Sequence, residues 1–144
     1  MITPSPTTKI DPGHSRGTFA GAVAPTQGRP ACIRFAVPNT SYELFLVPTA
    51  PVDATPGKRL VGVISASSRR IDVVDTGGQF VEPLVGRPRR VQGTVVRSEG
   101  GAVVVDAGVV IHLKPTDARQ SADSFQPGQM VSCDVLDGAT FSPR

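Results

Sequence analysis

Hydrophobic and polar residues alternate most regularly in residues 89–114, where three runs rich in Val and Ile are separated by two Gly-containing breaks. The last run places its apolar residues on one face, at Val109, Ile111 and Leu113. Its polar residues His112 and Lys114 face the other way, a two-residue period that is typical of a half-buried strand. The three runs therefore predict an antiparallel meander. Its central strand, residues 103–105, does not alternate and is expected to be covered on both faces.

The rest of the chain repeats this strand-sized pattern between frequent turns. Strands are predicted at about 17–24, 31–37, 42–47, 58–66, 69–75, 129–136 and 139–142, with 79–82 as a short edge pairing back on 69–75. Gly (15 residues) and Pro (14) are both common, so no helix longer than about three turns is expected. Residues 116–124 could form one helical turn capped by Thr116. Gly93 lies inside a predicted strand and suggests a bulge or a sharp coil.

The pattern occurs twice along the chain. The matching pairs are Phe19–Val23 with Val91–Val95, Ile33–Phe35 with Val103–Val105, Leu46–Thr49 with Leu113–Thr116, and Pro56–Leu60 with Pro127–Val131. Their order is preserved and their offset stays between 67 and 72 residues. We interpret this as a duplication that gives two small β-barrels in tandem, residues 17–85 and 86–144, after a disordered tail at 1–16. Each unit is near the lower size limit for a self-supporting core.

Three motifs carry a resemblance to a known fold: Val91-Gln-Gly-Thr-Val95, Leu113-Lys-Pro115 and Gln126-Pro-Gly-Gln-Met-Val131. Together with a meander and a connection that could be helical, they resemble the oligonucleotide/oligosaccharide-binding (OB) fold, most of all its small bacterial versions in translation and RNA binding. The motifs cover most of residues 89–136, and their counterparts cover about 17–66. The resemblance implies a binding face on the second and third strands of each unit and on their flanking loops.

The expected binding residues are of two kinds. On the outward faces of the implied binding strands lie Arg34, Phe45, His112 and Lys114. Near the junction between the units lie two basic clusters, Arg69-Arg70 and Arg87, Arg89 and Arg90. The plainer interpretations are a surface histidine, basic residues that shield strand edges, and a Phe45 covered by the other barrel or by a second subunit.

The sequence contains no catalytic signature, and its charge permits an acidic partner without demanding one. The net charge is +3 and the sequence pI about 9.3, which permits an acidic partner. No catalytic motif has a recognisable context, so we expect a non-enzymatic protein without a cofactor or metal that binds single-stranded DNA or RNA. The alternatives are a protein-interaction or assembly module, homo-oligomeric or with another partner, and a binder of small molecules or sugars. No apolar run has the length of a signal or a membrane span, so a cytoplasmic location is expected, with Cys32 and Cys133 as buried free thiols.

Overall fold

The computed structural model describes residues 11–144, and over this range the protein is all-β, as the sequence pattern predicts. The strands are β1 (Ser15–Val23), β2 (Cys32–Ala36), β3 (Glu43–Pro48), β4 (Arg59–Ser68), β5 (Asp72–Val73), β6 (Phe80–Glu82), β7 (Val85–Gly86), β8 (Arg90–Glu99), β9 (Ala102–Asp106), β10 (Val110–Pro115), β11 (Met130–Asp134) and β12 (Thr140–Pro143). One 3₁₀ turn, Ala122–Ser124, precedes β11. All twelve strands belong to a single mixed sheet.

The predicted meander is confirmed as β8, β9 and β10, which pair in sequence order with antiparallel neighbours. The central strand β9 is covered on both faces, and Val103, Val104 and Val105 are fully buried. A bulge interrupts β8 between Val95 and Arg97 and not at Gly93. Gly93 instead permits a close approach of two strands, because a Cβ there would lie 2.3 Å from the Asp106 carbonyl oxygen.

The first closed circuit of strand pairing runs β1–β2–β3–β12–β4 and returns to β1. β12 lies parallel to β3 and antiparallel to β4. The strand that closes this circuit therefore comes from the last residues of the chain, although the other four strands lie in its first half.

A second run of paired strands goes β4–β10–β9–β8–β11, and it closes into a second circuit only through an isolated bridge from β4 to Val135, the residue after β11. β10 lies parallel to the second half of β4, from Ile64 to Ser68. The end of β4 meets the end of β11 through an isolated bridge between Ser68 and Val135. The Arg69 amide donates to the Asp134 carbonyl at 2.9 Å, and the Leu136 amide donates to the Ser67 carbonyl at 2.8 Å. β4 thus belongs to both circuits.

One hydrophobic core follows from this shared strand. Buried side chains from both halves of the chain form a single cluster. Within it the rings of Phe35 on β2 and Phe141 on β12 lie 5.2 Å apart, and both residues are fully buried. The predicted boundary near residue 85 does not coincide with a break in the sheet, and the division into two tandem units stays a prediction.

The disordered tail predicted for residues 1–16 is wrong where the structure describes it. Residues 1–10 lie outside the described residues, but β1 begins at Ser15, whose side chain is buried and donates to the Val110 carbonyl at 2.6 Å. Asp11 forms an ion pair with Arg97 at 2.9 Å. Both contacts join residues more than 80 positions apart, so the local composition gives no sign of them.

Three smaller predictions also need correction. The predicted strand 69–75 is reduced to β5, and the edge at 79–82 pairs with β8 instead. The helical turn is capped by Ser121 and not by Thr116. The Thr116 hydroxyl is already engaged, because it donates to the Ser68 carbonyl at 2.7 Å.

Candidate functional site

A cleft of about 1040 Å³ brings together five of the predicted binding residues. These are Phe45, Arg69, Arg87, Arg89 and Arg90. Phe45 comes from β3, Arg69 follows β4, and the other three arginines follow β7 or begin β8. The cleft therefore lies where segments from both circuits meet.

Three of the five cleft arginines, Arg69, Arg87 and Arg89, have no carboxylate partner among residues 11–144. Arg69 and Arg89 are exposed, and no carboxylate of residues 11–144 lies within 4.0 Å of either guanidinium. Arg87 is half-buried, and its Nη2 donates to the Pro30 carbonyl at 3.1 Å. These three side chains keep most of their hydrogen-bond donors available to an anion.

Two further arginines in the cleft are paired. Arg90 Nη1 donates to Asp134 Oδ1 at 2.7 Å, and its Nη2 donates to Ser132 Oγ at 2.9 Å. Arg29, on the connection between β1 and β2, lies 3.2 Å from Asp137 Oδ2 through its Nε. The cleft thus contains five arginines, and two of them are held by aspartates of the segment that joins β11 to β12.

Phe45 supplies the aromatic surface of the cleft. It is half-buried on β3, directly opposite Arg34 on β2. The Arg34 guanidinium carbon lies 5.8 Å from the centre of the Phe45 ring, within the range of a cation–π contact. Arg34 also forms an ion pair with Glu43. Arg34 therefore supports the aromatic ring, although it does not line the cleft itself.

Two other predicted residues lie apart from the cleft. Arg70 forms an ion pair with Asp72 at 3.1 Å and is not among the lining residues. Lys114 is exposed and lines a smaller depression of about 140 Å³, together with hydroxyl-bearing residues of β4 and β12. Asp137 borders both the depression and the cleft, so the two are neighbours.

The prediction that His112 is a surface residue is wrong. Its side chain is buried, with 7% exposed, because residues 11–13 cross this face of β10. His112 Nε2 lies 2.8 Å from the Gly13 carbonyl oxygen, and Nδ1 lies 3.9 Å from Glu99 Oε2. A carbonyl can only accept, so Nε2 carries the proton in this contact. His112 has no access to the cleft or to a large ligand.

The segment that covers His112 is held by charge. Asp11 Oδ1 accepts from the Gly13 amide at 2.7 Å and from Arg97 Nη2 at 2.9 Å. These hydrogen bonds stabilise the ionised carboxylate, so the pKa of Asp11 lies below its usual value of 3.8. We call residues 11–15 the strap.

The two thiols are buried, as the sequence predicts. Burial raises the pKa of the Cys133 thiol to about 12, and it raises the pKa of the Cys32 thiol despite the nearby Arg87 guanidinium. Within residues 11–144 no group of three His, Cys, Asp or Glu side chains is arranged to hold a metal ion. The described part of the chain also contains no helix that is long and apolar enough to cross a membrane.

Sequence reasoning missed the acidic side of the cleft. The carboxylates that line it are Glu82, Asp134 and Asp137, yet the sequence marks Asp137-Gly138 only as a turn. Arg29, which also lines the cleft, was not predicted either. The basic clusters did hint at such carboxylates. Like charges so close in sequence repel one another, and nearby carboxylates or an anionic ligand would offset that repulsion. That hint does not say which carboxylates they are.

No protein-family model, curated protein or solved structure with which the chain was compared matches it.

Proposed function

We propose that this protein is a non-enzymatic binding protein for single-stranded nucleic acid, and that the cleft is its binding site. The observation that carries the proposal is the meeting of Arg69 and Arg89, both free of carboxylates, with the half-buried ring of Phe45 in one cleft. Proteins that bind single strands combine a positive groove for the phosphates with aromatic side chains on which bases stack. In the cleft, Arg69 and Arg89 provide the positive charge and Phe45 provides the aromatic ring.

The strand pairing supports an OB-like architecture for both halves. In each circuit the first strand lies between the second and the fourth, and the third strand lies beside a parallel closing strand. We propose two OB-like barrels from a duplication that have exchanged their closing strands: β12 closes the first, and the second half of β4 closes the second. Small five-stranded barrels of this class commonly bind oligonucleotides on one face.

The distribution of charge supports a polyanionic partner over a neutral one. Residues 1–72 contain 8 Lys or Arg against 4 Asp or Glu, and residues 73–144 contain 7 against 8. The second half is therefore slightly acidic overall, yet its basic cluster at the junction faces the cleft. Basic residues gathered at one site, on a chain of modest net charge, favour local phosphate contacts over general attraction.

Removal of the two exposed arginines that have no carboxylate partner tests the proposal. Arg69→Gln combined with Arg89→Gln should weaken binding of a fluorescent single-stranded oligonucleotide by about tenfold or more at low salt. The slope of log affinity against log salt should fall by about 1.4, or about 0.7 for each lost phosphate contact. Fluorescence anisotropy at several salt concentrations measures both quantities.

The matched control removes the same charge elsewhere. Arg16 and Arg59 lie on β1 and β4, are exposed, and have no carboxylate within 4.0 Å in the described range. Arg16→Gln with Arg59→Gln should change the slope much less. If both double variants changed the slope equally, binding would depend only on the net charge of the protein. That result would refute a binding site in the cleft.

A second candidate function, a protein-interaction or assembly module, rests on a different observation. Leu84 and Val85 lie beside the cleft with 55% and 51% of their surfaces exposed. Exposed apolar side chains of this size often mark contacts between proteins. Under this function the protein should self-associate in sedimentation experiments, Leu84→Ser with Val85→Ser should abolish the association, and the wild type should not bind oligonucleotides at low salt.

A further inference from the structure

The cleft contains its own competing anions. Three of its arginines, Arg69, Arg87 and Arg89, have no carboxylate partner in the described residues, whereas Arg90 pairs with Asp134 and Arg29 with Asp137. Both aspartates belong to the short segment that ends β11 and leads into β12. Carboxylate and phosphate oxygens use the same guanidinium donors, so an arginine held by an aspartate is less available to a phosphate.

These ion pairs can be broken at little cost. The exposed fractions of the Arg90 and Asp134 side chains are 43% and 59%, and those of Arg29 and Asp137 are 56% and 46%. Exposed pairs contribute little to the stability of the folded protein because water screens them. A ligand with several phosphates can therefore displace the carboxylates without disturbing the fold.

Asp137 also lies at the boundary between the cleft and a smaller depression that contains one cation, Lys114. Its negative charge raises the free energy of an anionic chain that passes between them. Displacement or neutralisation of Asp137 would join the two surfaces into one continuous path toward Lys114.

We infer that Asp134 and Asp137 regulate the cleft as internal competitors of the phosphate backbone. This inference rests on the proposed function, since it concerns the same site and the same ligand class. The free arginines make the first contacts with a single strand. The paired arginines join only when the strand replaces the two aspartates.

The test is to neutralise the competitors. Asp134→Asn with Asp137→Asn should tighten the dissociation constant for a single-stranded oligonucleotide by about fivefold for each aspartate. The salt slope should stay within about 0.7 of the wild-type slope, because the wild-type strand also contacts Arg29 and Arg90 once it has replaced the aspartates. The matched control is Asp53→Asn, which breaks another exposed ion pair, with Lys58 at 4.0 Å, outside the cleft. It should have much less effect than Asp137→Asn alone, which adds the same charge.

The possible results distinguish failure of this inference from failure of the proposed function on which it rests. If the wild type binds and the aspartate variants bind no tighter than the control, the inference is overturned and the proposed function stands. If the wild type binds too weakly to measure and the double variant binds, the inference is supported. If neither binds at low salt while circular dichroism shows both folded, the inference and the proposed function fail together.

Discussion

Asp11 holds its position through hydrogen bonds to its ionised carboxylate. It binds the Gly13 amide and Arg97, and these contacts hold the strap over His112. Because its pKa in the folded protein is below 3.8, the contribution of Asp11 to stability is fully present above that value. This contribution is lost as the pH falls through the lower pKa of the folded state.

We expect Asp11→Asn to loosen the strap at neutral pH without unfolding the sheet. The Gly13 and Ser15 amide signals in NMR spectra should shift and exchange faster with solvent, because the ionised acceptor is gone. In the wild type the same signals should move with a midpoint below pH 3.8. Asp75→Asn, at an exposed residue far from Asp11 in sequence, serves as the control. Unchanged Gly13 and Ser15 signals in Asp11→Asn would contradict this role.

His112 and Lys114 show how far a single residue can be predicted from the sequence. Their shared face follows correctly from the two-residue period of β10. Lys114 is indeed exposed, but His112 is buried under the strap. Periodicity assigns a side chain to a face of the sheet and does not reveal a segment about 100 residues away that covers that face.

At the scale of elements, most strands could be predicted because their signals are local. Val- and Ile-rich runs and Gly or Pro punctuation mark β2, β3, β8, β9 and β10 to within a few residues. Strand pairing could not be predicted in the same way. The sequence marks a short last strand at 139–142, but nothing in those residues says that it lies between β3 and β4. Backbone hydrogen bonds are the same for every partner, so the choice depends on the whole core.

The position of β12 between β3 and β4 predicts a large effect of one side chain. Phe141 on β12 is fully buried against Phe35, so Phe141→Ala should lower the free energy of unfolding by about 3–5 kcal/mol. Phe80→Ala, at a half-buried ring on β6, should cost less. Urea denaturation followed by circular dichroism measures both variants.

The same urea experiment also tests whether the whole protein unfolds cooperatively. β4 belongs to both circuits, so the wild type should unfold in one transition, and Phe141→Ala should shift all of it. Two separate transitions, with only one of them shifted by Phe141→Ala, would contradict a shared strand as the centre of the fold.

At the scale of the whole molecule, the cleft exists only when distant segments assemble. Four of its five arginines, Arg69, Arg87, Arg89 and Arg90, could be predicted because they belong to basic clusters that are conspicuous in sequence. That Arg90 is paired could not be predicted, since Asp134 lies 44 residues away and reaches it through the fold. The partner of Arg70, by contrast, is the nearby Asp72. The geometry therefore narrows the expected phosphate contacts to Arg69 and Arg89, with Arg87 beside them.

The most direct test of the central claim is to map the bound ligand. The full chain, labelled with ¹⁵N, is titrated with a single-stranded oligonucleotide of about ten nucleotides at low salt while its NMR spectrum is recorded. The side-chain Nε–H signals of Arg69 and Arg89 and the backbone amides around Phe45 should shift together, while those of the strap should not. No shifts at saturating oligonucleotide, or shifts centred on the face around Arg97, would contradict a nucleic-acid site in the cleft.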